Sequence, residues 1–165
     1  GDIISLDLGS IVDGYYGDAA VTVPVGQVSD EANRLIDVTQ ESLRRAIDAV
    51  HPGGRLSDIS HAVQAAVEAE GFSVVRLFVG HGIGRSLHEE PQIPNFGPPG
   101  HGPVLKTGMV LAIEPMVNAG SPDVMILEDR WTAVTCDGSL SAHFEHTVAL
   151  TENGTEVLTS LDGRG

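Results

Sequence analysis

The sequence predicts a single α+β domain, because strand-like and helix-like segments occupy separate stretches of the chain. Apolar residues alternate loosely at the start, recur every three or four positions from Ser29 to Gly71, and return in short runs afterwards. No stretch of linker-like composition interrupts the 165 residues. A chain of this length can form one domain with a substantial hydrophobic core.

Strands are predicted on both sides of the helical stretch. Before it, residues 2–8 (DIISLDL) and 19–25 (AAVTVPV) have the apolar character of strands, and the residues between Gly9 and Gly17 are rich in turn formers. After it, the predicted strands cover residues 73–79, 109–114, 131–136 and 142–151. The stretch from His88 to Gly102 is rich in proline and glycine, which favours a loop.

Two helices are predicted between these strands. Ser29 is the expected N-cap of the first helix, and the sequence Pro52-Gly53-Gly54 ends it. Ser57 is the expected N-cap of the second helix, which ends near Gly71.

The composition excludes two classes of partner. With 9 basic and 23 acidic residues the formal charge is −14, whereas proteins that bind nucleic acids or anionic membrane surfaces need clustered cations. Cys136 is the single cysteine and cannot form an internal disulfide. This indicates a reducing compartment and predicts a cytoplasmic location.

A carboxylate recurs at matched positions in two pairs of predicted strands. Asp7 and Glu114 each end an apolar strand six residues after a glycine, and Asp18 and Glu145 each begin the strand that follows. Chance similarity between short hydrophobic strands explains either match alone as well as a duplication does. Two matches in the same order favour an internal repeat, and its first half is incomplete here because its two helices would precede Gly1.

These four carboxylates predict bound cations. They lie beside apolar strand residues, where desolvation of an unpaired carboxylate costs several kcal/mol. Four converging anions repel one another unless cations lie between them, and two divalent ions would balance the charge. An imidazole is also expected in such a site. His81 is well placed, since it follows an apolar strand and glycines on both sides allow close backbone approach.

Several polar residues also have a structural interpretation. Asp18 taken alone is compatible with a turn, and His81 taken alone with a hydrogen-bonded structural histidine. Glu89 and Glu90 are interpreted as loop charges. Three further histidines are interpreted as surface or structural residues: His61, His101 and His143.

Four motifs, in order along the chain, resemble those of one enzyme family. They are Asp7 and Asp18 at eleven-residue spacing, GHGIGRSLHEEP (residues 80–91), AIEPMVN (residues 112–118) and SLSAHFEHT (residues 139–147). By these motifs nearly the whole chain closely resembles the methionine aminopeptidases of the shorter, bacterial type I form. The resemblance implies the pita-bread (creatinase/aminopeptidase) fold. In that α+β fold a pseudo-twofold axis relates two halves of a curved antiparallel sheet, with helices on one face.

The resemblance also implies a centre of two divalent metal ions, which would be Mn, Co, Fe or Zn. Asp7 and Asp18 would hold one ion, and Asp18 and Glu145 would bridge to a second ion that His81 and Glu114 also bind. A water or hydroxide between the ions would attack the first peptide bond. Glu114 would double as the proton acceptor and shuttle.

Three more residues have roles that the resemblance implies. His88 would be catalytic with Glu114, since it would hydrogen-bond the substrate near the scissile peptide and help to stabilise the tetrahedral intermediate. Trp131 would line the methionine pocket, and Leu87, where relatives often have Phe, would reshape that pocket. The free N-terminal amine of the substrate would bind at the metal centre, so that only the first residue is removed.

The family pattern begins upstream of Gly1, with another substrate-contacting histidine and part of the methionine pocket. The resemblance therefore implies that residues 1–165 are a single catalytic metallopeptidase domain that lacks its N-terminal helices and strands. Part of the helix layer that covers the sheet would be missing, which would expose apolar surface.

The expected function is removal of the initiator methionine by a monomeric cytoplasmic enzyme. Its partners would be the N-terminal methionine of nascent polypeptides and, transiently, the ribosome, without direct contact to nucleic acid or membrane. Two alternatives use the same fold. An Xaa-Pro aminopeptidase or dipeptidase would share the metal ligands, and a pita-bread module would bind peptides or proteins without catalysis. The contexts HEEP and EPMVN favour the methionine aminopeptidase.

Overall fold

The structure is a computed structural model that describes residues 1–160. Two long strands come first, two helices follow, and shorter strands complete the described chain. The elements are β1 (Ile3–Val12), β2 (Tyr15–Pro24), α1 (Asp30–Asp48), α2 (Leu56–Ala69), β3 (Ser73–Val74), β4 (Gly80–Gly82), β5 (Glu89–Ile93), β6 (Val110–Ile113), β7 (Met116–Asn118), β8 (Val124–Ile126), β9 (Ala133–Thr135), β10 (Ser141–His143), β11 (Glu145–Thr151) and β12 (Gly154–Val157). This order confirms the predicted α+β class.

Seven strands form one antiparallel sheet. Six of them follow the order β1-β2-β11-β6-β4-β5, and the seventh, β12, pairs with residues 148–151 of β11. The matched carboxylates belong to two strand pairs of this sheet. Asp7 and Asp18 lie in β1 and β2, whereas Glu114 directly follows β6 and Glu145 begins β11. The two strand pairs are neighbours, because β2 pairs with β11. The predicted internal repeat therefore corresponds to two adjacent antiparallel strand pairs. Two smaller sheets, β10-β7-β3 and β8-β9, complete the strand pairing of the described residues.

The first hairpin is longer than the sequence predicts. Strands cover most of the stretch from Gly9 to Gly17, which was predicted to be turn-rich, and Val12 pairs with Tyr15. Only Asp13 and Gly14 form the turn, with φ of 51° and 82°. Two successive residues with positive φ are what a type I′ hairpin turn requires. The ladder between β1 and β2 thus overrides the local turn preference of the flanking residues.

The later strands also differ from the prediction. The strand predicted over residues 142–151 is interrupted at Phe144 and forms β10 and β11, and the loop predicted over residues 88–102 contains β5. Pro91 is tolerated in β5 because this strand lies at the edge of the sheet. The strands predicted over residues 73–79, 109–114 and 131–136 are shorter in the structure, as β3, β6 and β9.

One predicted helix cap is confirmed and the other is wrong. Ser29 Oγ accepts a hydrogen bond from the backbone N–H of Ala32 at 3.2 Å and caps α1. Ser57 lies inside α2, where its hydroxyl accepts a hydrogen bond from a loop amide. Arg55 is the N-cap residue of α2, and its backbone N–H donates to the Asp58 carboxylate at 2.8 Å.

The two helices pack on each other and on one face of the sheet, as predicted. Their apolar stripes and the inward residues of β6, β7 and β11 form one core. Its buried members from these elements include Leu35, Leu43, Ile59, Val63, Val67, Leu111, Ile113, Val117, Val148 and Leu150. Neither helix in the described range is long and apolar enough to span a membrane.

β1 forms one edge of the large sheet and leaves apolar side chains in contact with solvent. Leu6, Leu8, Ile11 and Val12 are all exposed. The resemblance implies exposed apolar surface but does not assign it to a particular strand.

A buried threonine extends the short contact between β2 and β11. The ladder between these strands has two residue pairs, and next to it the Thr147 hydroxyl bonds to both backbone groups of Asp18. Thr147 Oγ1 accepts from the Asp18 N–H at 2.9 Å and donates to the Asp18 carbonyl oxygen at 2.8 Å. Since Thr147 and Asp18 are both buried, water cannot readily replace these bonds.

We expect Thr147→Val to lower the free energy of unfolding of the metal-free chain by about 2 kcal/mol, because it leaves two buried backbone groups without a partner. Thr147→Ser keeps the hydroxyl and removes only a methyl group, so it should cost about 1 kcal/mol. Urea denaturation of the three proteins measures the difference. A valine variant as stable as the serine variant would show that these bonds do not hold the strands together.

Candidate metal centre

The five predicted metal ligands come from five consecutive strands of the sheet. Asp7 lies within β1, Asp18 lies within β2, and Glu145 begins β11. Glu114 directly follows β6, and His81 is the middle residue of β4. Asp7 therefore does not end its strand and Asp18 does not begin its strand, contrary to the prediction, because the first hairpin is longer than expected.

Strand register places three of these side chains on the same face of the sheet. Paired residues in neighbouring strands point to the same face, as do residues two apart in one strand. Ala20 pairs with Asp7 on one side and with Glu145 on the other. Asp18 lies two residues before Ala20, so the three carboxylates share a face.

The same argument adds the other two ligands to that face. His81 pairs with Ala112, and Ala112 pairs with Thr147, which lies two residues after Glu145. Glu114 lies two residues after Ala112. The helices pack on the opposite face, because the core residues of β6 and β11 alternate with these positions.

Three of these residues bring their donor atoms together in the interior. Carboxylate oxygens of Asp18 and Glu145 and a ring nitrogen of His81 all lie within 4.8 Å of one another, and the three residues are buried. His81 Nε2 also lies 3.5 Å from Glu114 Oε1. These distances suit donors that surround one small cation.

A second group of donor atoms adjoins the first and shares Glu145 with it. Its members are Asp7, His143 and Glu145, whose donor atoms also lie within 4.8 Å of one another. Burial lowers the pKa of His143 against the opposing effects of a backbone carbonyl and two aspartates. The sequence interpretation of His143 as surface or structural missed this position. The signal that could have found it is its spacing of two residues from Glu145.

His81 is oriented to bind a metal through Nε2. Its Nδ1–H donates to the Gly82 carbonyl oxygen at 2.8 Å, which leaves the lone pair on Nε2 in the neutral ring. The flanking glycines let β4 pass close between its neighbours. A Cβ at Gly80 would lie 2.5 Å from the Ala112 carbonyl oxygen, and one at Gly82 would overlap the Glu90 backbone.

The electrostatics of the site favour bound cations. Burial, and then the charges of Asp18 and Asp7, raises the pKa of Glu114 to about 8. Burial, and then the charges of Glu114, Asp18 and Asp7, raises the pKa of Glu145 to about 9. Divalent ions would remove this conflict, and oxygen donors with an imidazole suit several first-row metals. The residues therefore fit a metal centre.

His88 and Leu87, two of the predicted substrate residues, lie at the border of the ligand cluster. The ring of His88 packs edge-on against His81, with ring centroids 4.5 Å apart and an interplanar angle of 72°. A Cβ at Gly9 would lie 3.7 Å from Leu87 Cδ1 and 3.8 Å from Asp18 Oδ1. Both residues are thus within reach of a molecule bound at the cluster.

Trp131, the third predicted substrate residue, lies in the loop between β8 and β9. Its side chain is 88% exposed, and its backbone N–H donates to the Asp129 carboxylate at 3.0 Å. With so exposed a side chain, Trp131 lies outside the buried ligand cluster. Its role in a methionine pocket stays a prediction.

Comparison with known proteins gives a consistent result. The model of metallopeptidase family M24 matches residues 1–152. Methionine aminopeptidase 1 of Bacillus subtilis is 60% identical over 161 residues, which are 98% of this chain and 65% of that protein. Methionine aminopeptidase of Clostridium perfringens is 58% identical, with the same coverage. The chain thus spans about 65% of the length of these curated relatives.

Solved structures show the same similarity. Methionine aminopeptidase from Thermotoga maritima superposes with a TM-score of 0.95 at 57% identity, over 97% of this chain and 64% of that chain. Prolidase from Pyrococcus furiosus superposes with a TM-score of 0.74 at 26% identity, over 97% of this chain and 42% of that chain.

The free energy of unfolding of the metal-free chain is expected to fall as pH rises from about 7 to about 9. Glutamates are ionised in the unfolded chain over this range, whereas the raised pKa values of Glu114 and Glu145 keep protons on the folded chain. The folded state therefore binds more protons and loses stability as they are removed.

Urea denaturation at several pH values, with a chelator present, tests this expectation. Glu145→Gln removes one of the two titrating groups, so the pH dependence should become shallower in that variant. A free energy of unfolding that is constant from pH 7 to 9, or an equal slope in the variant, would contradict the electrostatic account.

Proposed function

The chain belongs to metallopeptidase family M24, and on this basis we propose that it is a metal-dependent aminopeptidase that removes the N-terminal methionine of new proteins. The observation that carries the proposal is that five candidate metal ligands, from five neighbouring strands, lie on one face of the sheet. Relatives named methionine aminopeptidase, which are 46% to 60% identical, support the choice of substrate.

The proposed cofactors are two divalent ions, which would be Mn, Co, Fe or Zn. His81 and Glu114 would hold one ion and Asp7 the other, with Asp18 and Glu145 contributing to both. The two overlapping groups of donor atoms that share Glu145 support this number. When bound, such ions activate water as a nucleophile near neutral pH.

Glu114 is proposed as the proton acceptor and shuttle. Its side chain is 14% exposed, so it adjoins the buried donors and remains accessible from the open side. In the metal-free chain burial, and then the charges of Asp18 and Asp7, raises the pKa of Glu114 to about 8. Bound ions would counter this effect, so the proposed role rests on the position of Glu114 beside the buried donors. Glu114 would take a proton from the attacking water and deliver it to the leaving amine.

His88 and the two pocket residues would position the peptide. His88 borders His81 and is exposed, so its ring can donate a hydrogen bond to the substrate near the scissile peptide and stabilise the developing oxyanion. Leu87 and Trp131 would contact the methionine side chain. The free amine of the substrate would bind at the metal centre, which restricts cleavage to the first residue.

The cellular setting is part of the same proposal. The substrate would be the N-terminal methionine of nascent polypeptides, met in the cytoplasm by a monomeric enzyme that contacts the ribosome transiently. The single cysteine, Cys136, is exposed and free, which is compatible with a reducing compartment.

An Xaa-Pro dipeptidase is the second candidate, and the similarity to prolidase structures favours it. That similarity reflects the shared fold, and at 26% identity it is weaker than the 57% identity to the Thermotoga maritima methionine aminopeptidase. The metal ligands alone do not separate the two activities, because both would use water activated by metal.

Glu114→Gln should reduce kcat of the intact metal-loaded protein by a factor of about 10² to 10⁴, as expected for loss of a general base. The assay is release of methionine from Met-Ala-Ser. Metal content, measured by atomic emission, shows whether the variant still holds its ions. A variant that keeps its metal and cleaves at the wild-type rate would refute the assigned role of Glu114.

A peptide panel distinguishes the two candidate activities. Met-Ala-Ser should be cleaved at least about tenfold faster than Leu-Ala-Ser, because even a small change in side-chain shape alters kcat/KM by this order in a fitted pocket. Ala-Pro should not be cleaved. Cleavage of Ala-Pro in preference to Met-Ala-Ser would establish the dipeptidase instead.

A further inference from the structure

Two histidines face carboxylates of the metal centre in the same way. His81 Nδ1 donates to a backbone carbonyl, and its Nε2 lies 3.5 Å from Glu114 Oε1. His143 Nδ1 donates to the Pro115 carbonyl oxygen at 3.2 Å, and its Nε2 lies 3.7 Å from Asp7 Oδ2. His81 is one of the five ligands already assigned, whereas His143 has no assigned role.

The Nε2 atom of His143 presents a lone pair to a carboxylate. Because the Pro115 carbonyl can only accept, Nδ1 holds the proton of the neutral ring. Nε2 and Asp7 Oδ2 are then both acceptors, and at 3.7 Å they do not form a hydrogen bond. A cation satisfies both atoms. Two donors that each lie about 2.0 to 2.2 Å from one metal ion are separated by roughly 3 to 4 Å.

Hydrogen bonds to β2 fix the backbone of His143. Thr22 Oγ1 accepts from the His143 N–H and donates to the His143 carbonyl oxygen, both at 2.8 Å. Since this uses the one proton of Thr22, Ser5 Oγ must donate to Thr22 Oγ1, at 2.8 Å. Ser5 lies two residues before Asp7, on the same face of β1. The network therefore ties His143 to the strand that carries Asp7.

We propose that His143 is a further protein ligand of the metal centre, which binds through Nε2 the divalent ion that Asp7 and Glu145 hold. The three donor atoms lie within 4.8 Å of one another. The His143 side chain is only 14% exposed, whereas that of Asp7 is 59% exposed, so the ring approaches the ion from the protein side. The assignment rests on the proposed metal-dependent function.

The first test uses the wild-type protein saturated with Co²⁺. An imidazole bound to Co²⁺ through Nε2 gives a strongly shifted, solvent-exchangeable Nδ1–H signal in the proton NMR spectrum. Both histidines donate Nδ1–H to a carbonyl, which slows exchange. Two such signals are expected, one from His81 and one from His143. A single signal would overturn the proposal, and this outcome depends on no variant.

The second test is calorimetric titration of variants with Co²⁺. His143→Ala and His143→Gln should each weaken the binding of one ion by at least about tenfold and leave the other ion unaffected. Glutamine can still donate an N–H to the Pro115 carbonyl oxygen, so it separates loss of the ligand from loss of a structural hydrogen bond. Wild-type affinity for both ions in the variants would overturn the proposal.

His146→Ala is the matched control. His146 lies one residue beyond Glu145, on the opposite face of β11, where its Nδ1 is 2.8 Å from Thr159 Oγ1. Its removal should leave both Co²⁺ affinities and both shifted N–H signals unchanged. Loss of a shifted signal in His146→Ala would show that the second coordinated imidazole is His146 and not His143, and would overturn the proposal.

The outcomes separate this inference from the proposed function. A wild-type protein that binds no Co²⁺ overturns both. A protein that binds Co²⁺ through one imidazole and releases methionine retains the function and overturns the sixth ligand. Two coordinated imidazoles without release of methionine support the sixth ligand and contradict the function.

Discussion

The mutual repulsion of four carboxylates is the constraint on which this structure depends. Asp7, Asp18, Glu114 and Glu145 share one face of the sheet, and Asp18 and Glu145 are buried there. Burial and repulsion raise the pKa values of Glu114 and Glu145 to about 8 and about 9. Protonation relieves part of the repulsion, but it neutralises carboxylates that would bind a metal ion. Divalent ions offset the repulsion and leave the carboxylates charged. Metal ions bound on this face would therefore stabilise the folded chain, because they would offset the repulsion among the carboxylates.

The scaffold resists this repulsion where the two strand pairs, β1–β2 and β6–β11, meet. The ladder between β2 and β11 has only two residue pairs, which is a short contact for strands that each carry a ligand. Two threonine hydroxyls reinforce it. Thr147 bonds both backbone groups of Asp18, and Thr22 bonds both backbone groups of His143. Each hydroxyl both donates and accepts, so a single side chain replaces one step of a backbone ladder.

Four of the five candidate ligands stand out in the sequence because the repeat presents them in pairs. The match of Asp7 with Glu114 and of Asp18 with Glu145 comes from aligning the sequence with itself. Errors in the predicted strand bounds therefore do not affect it. Those errors have a common cause. The Gly9–Gly17 stretch and β5 have loop-like composition, but each becomes a strand through ladder hydrogen bonds in a local antiparallel pair, β1 with β2 and β4 with β5. The predicted strand over residues 142–151 already places His143 two residues before Glu145, but as a single histidine it is interpreted from the sequence as surface or structural.

The two halves of the ligand cluster have the same kinds of donor, one Asp, one His and the shared Glu145, but they differ in burial. Asp18, His81 and Glu145 are buried, where reduced solvent screening strengthens the attraction of a cation. The Asp7 half is open to solvent and shares Glu145 with its neighbour, so a cation in one half weakens the field in the other. A further carboxylate on the open side would add to the repulsion that already raises the pKa of Glu145. A neutral imidazole adds a donor atom without adding an anion. His143, beside Asp7, can therefore add a donor atom to this half of the cluster without adding to the repulsion.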